Sequence, residues 1–245
     1  MIASLPMYER PETRCAIDRF WQAVRGALGE GPGNLNRGGD PWDDWRAPGL
    51  LLSQTCGYPY RAHLHGDVQL VGTPAYDLPG VEPGYYNSAI VVRADDPRDT
   101  LADFAAASLA RNDPQSQSGW AAPEYEASVL RFSFSSKAID SGSHIASARM
   151  VAEGNADIAA IDAVSWILIT RHDSFATNLR VLDRTRPPPG LPYITAANRD
   201  PGPLREAISS AISEMSADDR DALLLTGLVQ IPASEYLAVW TPPTV

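Results

Sequence analysis

Two stretches place small hydroxyls, a glycine and backbone donors where helices should begin: NDPQSQSGW, Asn112 to Trp120, and SGSHIASARMVAEG, Ser141 to Gly154. In the first, Ser116, Gln117, Ser118 and Gly119 precede a helical stretch. Hydroxyls and N–H groups can converge there on the partial positive charge of a helix start, which suits a small oxyanion. In the second, Ser141 and Ser143 precede a helix that the spacing starts near Ile145, and His144 adds a ring N–H whose protonation responds to a nearby anion. Serine is also a preferred N-cap, so from the residues alone a cap and an anion cradle both stay open at each place.

Asp162 follows the apolar run ADIAAI and so falls at the C-terminal end of a predicted strand, the usual ligand edge of an open sheet. A carboxylate there can accept a hydrogen bond from a protonated oxyanion or a ligand ammonium and can reject a fully deprotonated competitor. It can equally cap the helix that follows. Tyr8 lies just past the first predicted strand, and Cys56, Gly57 and Tyr58 just past the strand GLLLSQT; tyrosine offers an apolar face and an O–H donor together. Tyr85, Tyr86 and Ser88 sit where the chain is expected to pass between domains.

Other constellations are weaker. His63 and His65 are two apart, which on a strand would put them on one face, but no third ligand is placed and no metal site is expected. His144, nearby serines and Asp162 contain the residue types of a triad, without a nucleophile elbow of the Gly-x-Ser-x-Gly kind. No dinucleotide or P-loop glycine pattern occurs, and no cofactor is expected.

Composition narrows the partners. A formal net charge of −10, with 20 scattered Lys and Arg, argues against a nucleic-acid surface. Any anion must then be held by local donors, since the long-range field repels it. Cys15 and Cys56 are too few for a disulfide framework. No apolar run reaches the about 20 residues a membrane span needs, so no membrane insertion is expected. The start, MIASLPMYERPET, has no basic and apolar leader pattern; the expectation is a cytoplasmic protein, or a periplasmic one if a leader was removed.

The elements that must position these residues alternate between short apolar runs and helical stretches, the pattern of an α/β protein with mostly parallel strands. IASLPM, GLLLSQT, VQLVGTP, SAIVVR, ADIAAID, LRVLDRT and PYITA read as strands. PETRCAIDRFWQAVRGAL, with Ala16, Phe20, Val24 and Leu28 on one face, reads as a helix. So do DTLADFAAASLA (feeding a short strand), WAAPEYEASVL, HIASARMVAEG, AVSWILITRH and PLREAISSAISEM, the last stopped by SADDRD. FSFSS is open between strand and loop, and GEGPGNLNRGGDPWDD is a long surface loop. Two segments rich in Pro, Gly and Tyr, around 81–97 and 184–198, look like domain joints. They imply a discontinuous first lobe, residues 1–88 plus 191–245, and an inserted second lobe, residues 89–190.

The segments SQTCGYPY, YYNSAIVVRADDPRDTLADFAAASLARNDPQSQSGW, GSHIASARMVAEGNADIAAIDAVSW and TRPPPGLPYITA, taken in order, resemble the phosphate, phosphite and phosphonate ABC-transporter substrate-binding proteins. The resemblance spans nearly the whole chain, and its most specific parts are the Ser-x-Ser-Gly and Gly-Ser-His elements. It implies an α/β protein of the type 2 periplasmic-binding fold, two lobes joined by two crossing hinge strands, that closes on a small phosphorus oxyanion. It further implies that Ser116, Ser118, Gly119, Ser143 and His144 coordinate the phosphoryl or phosphonyl group. Tyr8 would approach from the first lobe and Asp162 would meet the ligand's protonated or cationic end; Tyr58 and Cys56 are matched only by their place after a strand. An ABC-transporter permease is the implied partner if the protein is exported. An enzyme on the same fold, with His144 as general acid or base, is the alternative.

Overall fold

The computed structural model describes residues 1–243. In chain order its strands are β1 Ile2–Ser4, β2 Leu50–Gln54, β3 Val68–Tyr76, β4 Ser88–Arg93, β5 Leu109–Arg111, β6 Ala138–Asp140, β7 Ile158–Asp162, β8 Leu179–Arg184, β9 Tyr193–Ala196 and β10 Leu225–Val229. Its helices are α1 Arg14–Leu28, α2 Pro41–Trp45, α3 Gly57–Pro59, α4 Ala122–Val129, α5 His144–Ala152, α6 Ala163–His172, α7 Gly202–Ser213, α8 Ala217–Leu223 and α9 Ala233–Leu237. The chain divides into two units: Met1–Tyr85 with Pro189–Ala238, and Tyr86–Pro188 with the segment from Val239 on. The sequence reading keeps the whole C-terminus in the first lobe. The tail instead groups with the second unit, where Trp240 packs on Tyr125 with ring centroids 5.6 Å apart.

Unit 1 is built on a five-stranded sheet in the order β1-β2-β9-β3-β10. Strand β2 is buried along its whole length, as a continuous apolar run requires when both faces of a sheet are covered. The face of α1 that carries Ile17, Phe20, Trp21 and Val24 joins Leu204, Ala207, Ile208 and Ala211 of α7 in one core. Unit 2 carries the second sheet, in the order β6-β5-β7-β4-β8, with α5 and α6 contributing Ala148, Val151, Trp166 and Ile169 to its core.

Most of these pairings are antiparallel, which corrects the expected mostly parallel arrangement. The parallel pairs are β1 with β2, and β5 with β6 and β7. The antiparallel pairs are β9 with β2 and β3, β10 with β3, and β4 with β7 and β8. The reason lies in the chain path. Strand β4 follows one crossing between units and β9 the return crossing, and each inserts between strands of the unit it enters and runs against them. Periodicity reports burial and period, not direction.

Three further expectations change. DTLADFAAASLA forms only a 3₁₀ turn, Leu101–Phe104, before β5. Leu101 and Phe104 are buried within the turn, Leu109 is buried in β5, and the Ala105, Ala106, Ala107 and Ser108 between them supply too little apolar surface to hold a longer helix. SADDRD does not merely end α7; it starts α8, with Ser216 capping Asp219 N at 3.2 Å and Asp218 and Asp219 in the first turn, where the helix dipole favours them. His63 lies in a π turn, Tyr60–Leu64, and His65 directly after it, so the two do not share a strand face. The FSFSS stretch resolves as loop with a 3₁₀ turn, Ser135–Lys137.

Candidate functional site

The two serine-rich starts lie together in unit 2. The helical stretch after NDPQ opens as a π turn, Gln117–Ala121, that runs on into α4. Such an opening leaves the first N–H groups without carbonyl partners inside the helix, and π turns are frequent at functional positions. Ser116 is the cap: its Oγ accepts from Gly119 N at 3.0 Å. Ser118, two positions on, is free of that duty. Its Oγ lies 2.8 Å from His144 Nε2 and 3.5 Å from Ser116 Oγ.

His144 is the first residue of α5, one position earlier than expected, and Ser143 caps it by accepting from Ala146 N at 3.2 Å. Ser143 therefore has a structural duty whatever else it does. Ser141 Oγ is turned inward, 2.6 Å from Ser147 Oγ and bonded to the Arg111 carbonyl. Burial lowers the His144 pKa from 6.5 to about 4, with the Ala160 backbone pulling weakly the other way. The imidazole is thus neutral at pH 7, one nitrogen a donor and the other an acceptor.

Gly119 is required by close approach. A Cβ there would overlap the buried Asn112 Oδ1 and come within 3.3 Å of His144 Cε1. Trp120, next in the turn, is buried beneath the Arg111 guanidinium, 4.5 Å above its ring, and Arg111 Nε donates to Asp140 at 2.5 Å. Arg111 is therefore already paired.

Asp162 is buried at the end of β7 and caps α6, accepting from Ser165 N at 3.0 Å, so the capping reading and a place at the sheet edge hold together. It pairs across the sheet with Ser88, and Ser88 Oγ donates to the Ser118 carbonyl at 3.0 Å. Ser88 thereby ties the strand edge bearing Asp162 to the turn bearing Ser118. Sequence reading placed Ser88 only at a joint; the pairing of β4 with β7, which brings it here, is a long-range contact that local pattern does not report.

Tyr8 and Tyr58 belong to unit 1. Tyr8 follows β1 and meets Tyr76 edge-on at 5.2 Å. Tyr58 is buried in α3, with the Arg61 guanidinium 4.8 Å above its ring, and Cys56 stands at the N-cap position of that helix without a side-chain cap bond. A groove of about 220 Å³ in this unit is lined by Ser4, Glu9, Asn36, Arg37 and Asp44 among others, and contains none of the residues selected from the sequence. Among the described residues no group of three or more His, Cys, Asp or Glu is placed to hold a metal ion, and no helix is long and apolar enough to cross a membrane.

What the unit 2 arrangement can do is present hydroxyls, a neutral imidazole and the donors of a helix start to one small oxyanion, with a buried carboxylate at the adjoining strand edge. Comparison with known proteins gives the fold and the family. Among solved structures, a binding protein component of an ABC phosphonate transporter from Pseudomonas aeruginosa matches at 14% identity and a TM-score of 0.74, over 96% of this chain and 83% of that one. A Prochlorococcus marinus protein, PhnD1, solved with methylphosphonate, matches at 15% identity and a TM-score of 0.74, over 96% and 93%. A Xanthomonas citri protein solved with ATP matches at 17% identity and a TM-score of 0.68, over 96% and 92%. At these identities the likeness shows the fold, an α/β protein of the periplasmic-binding type. No curated protein matches. A family model described as ABC transporter, phosphonate, periplasmic substrate-binding protein matches residues 52–235. That description fits the periplasmic alternative and lends no support to the cytoplasmic expectation. With three-quarters of its length under that model, the chain belongs to the family of phosphonate ABC-transporter periplasmic substrate-binding proteins.

Proposed function

We propose that this protein is a receptor for a small phosphorus oxyanion, of the phosphate, phosphite or phosphonate type, and that Ser116, Ser118, Gly119, Ser143 and His144 form the seat of its phosphoryl or phosphonyl group. The observation that carries the reading is the 2.8 Å contact of Ser118 Oγ with His144 Nε2, which joins two helix starts into one donor cluster inside a chain of this family. With Nε2–H donating to Ser118, the serine hydroxyl is left to donate outward; an arriving anion also favours protonation of the imidazole. Asp162 suits a ligand that keeps a proton or carries an ammonium group. Tyr8 and Tyr58 are the candidates from unit 1. Family membership supports a receptor that works in the periplasm, and delivery of its ligand to an ABC-transporter permease is part of this proposal.

Isothermal titration calorimetry of the full chain with methylphosphonate, phosphite, phosphate and sulfate tests this. Tight, stoichiometric binding of a phosphorus compound, weakened in Ser118→Ala and His144→Ala and without chemical change of the recovered ligand, is the expected result. Binding unchanged in both variants would place the ligand elsewhere, and turnover would favour the enzyme alternative.

A further inference from the structure

Asn112 follows β5 and stands beside the turn that carries Ser116, Ser118 and Gly119. Its Oδ1 is buried, has no hydrogen-bond partner among the described residues, and lies directly against the Cα of Gly119, in the space a Cβ would fill. A buried amide oxygen without a conventional donor is costly, and here the contact available to it is the weak donor Cα–H of glycine. That fixes the sense of the amide. Exchanging oxygen and nitrogen would bury an N–H donor against carbon, which is worse, so Oδ1 stays inward and Nδ2 outward. Nδ2 is not buried and makes no hydrogen bond among the described residues. Two N–H bonds are thus carried by an amide whose packed oxygen lies against Gly119, the glycine that His144 Cε1 also approaches, and no described residue receives them.

We infer that Asn112 is a ligand-orienting residue of the seat, its Nδ2 donating to an oxyanion oxygen held beside Ser118 and His144. This rests on the proposed reading of the site and deepens it. The neutral imidazole and the paired Arg111 leave the seat without a full positive charge of its own, so a neutral amide donor adds directional hold without attracting anions indiscriminately. It would favour ligands with a free oxygen on that side.

The test is calorimetric titration of methylphosphonate and inorganic phosphate into the full chain and its Asn112→Ala and Asn112→Asp variants, with the melting temperature of each ligand-free protein. Loss of one hydrogen bond to a charged ligand should weaken binding about 10- to 150-fold in Asn112→Ala. Asn112→Asp keeps an oxygen against Gly119 but replaces the donor by a carboxylate, so it should bind at least tenfold more weakly than Asn112→Ala. A purely structural residue would not produce that order, because aspartate is the closer mimic of the native shape. Wild-type binding with both variants within twofold of it overturns the assignment and leaves the site reading intact. If Asn112→Ala fails to fold, Asn112→Asp decides alone on the same twofold limit. Wild-type protein that binds neither compound overturns the site reading, and the role of Asn112 with it.

Discussion

Ser118 Oγ and His144 Nε2 lie 2.8 Å apart although 26 residues separate them in the chain, and each sits in the first turn of a different helical segment. A serine that merely capped its own helix would bond a backbone N–H two or three positions on. Ser116 does so, which frees Ser118 to meet the imidazole.

If this pair works as a unit, its members should not contribute independently. Ser118→Ala and His144→Ala are each expected to weaken methylphosphonate binding by about 1.5–3 kcal/mol. The double variant should lose less than the sum, with a coupling of about 0.5 kcal/mol or more. Calorimetric affinities for the four proteins close the cycle, and strict additivity would count against a shared seat.

The part-buried, neutral His144 also makes stability depend on pH. Its pKa is about 4 in the folded protein against 6.5 ordinarily, so the unfolded chain takes up a proton first as pH falls. The stabilisation is complete above about 6.5 and is lost between 6.5 and 4, by a total of about 3 kcal/mol. Asp96, lowered to about 2 chiefly by its hydrogen bond to Arg98, is lost only in a more acid window, below its ordinary 3.8. Urea denaturation from pH 8 to pH 2 should show a fall in stability between pH 6.5 and pH 4 that His144→Gln flattens, while the acid limb below pH 4 stays unchanged.

Gly119→Ala should destabilise unit 2 by about 1–3 kcal/mol, because the added methyl overlaps Asn112 Oδ1. Combining it with Asn112→Ala removes the overlapping atom and should restore part of the loss. Thermal melts of the single and double variants report this; a Gly119→Ala melt equal to wild type would mean that Asn112 gives way freely.

In unit 1, Tyr236 of α9 hydrogen-bonds Thr73 Oγ1 at 2.6 Å and the Gly190 carbonyl at 3.0 Å while almost wholly buried. Tyr236→Phe leaves both partners without the hydroxyl and should cost about 1–3 kcal/mol in urea-induced unfolding. The close approach of Gly190 to the Gly84 carbonyl, where a Cβ would come to 2.8 Å of the oxygen, makes Gly190→Ala the harsher change, since backbone cannot yield as a side chain can.

Much of this site is written in the local sequence. Ser116 and Ser118 before an apolar turn, Ser143 and His144 before another, and Asp162 closing an apolar run all announce element starts and ends, because caps and strand ends obey short-range rules. The SADDRD segment carried the same kind of signal, a serine cap with acids behind it, and forms α8 rather than a stop. Asn112 stands at the head of the stretch yet offers no pattern of its own; its role depends on a glycine seven positions on and a histidine in another helix.

The sequence by itself determined the longer strands and helices, such as β2, β7, α1 and α7, which face of α1 is buried, and which hydroxyls stand at helix starts, since periodicity and capping are properties of neighbouring residues. Only the tertiary structure decided the direction of β4 and β9, the pairing of Ser88 with Asp162, and which of two serines caps its turn while the other meets His144. Those outcomes follow from strand insertion and from the packing of segments far apart in the chain, where the burial of many residues together outweighs the preference of any one.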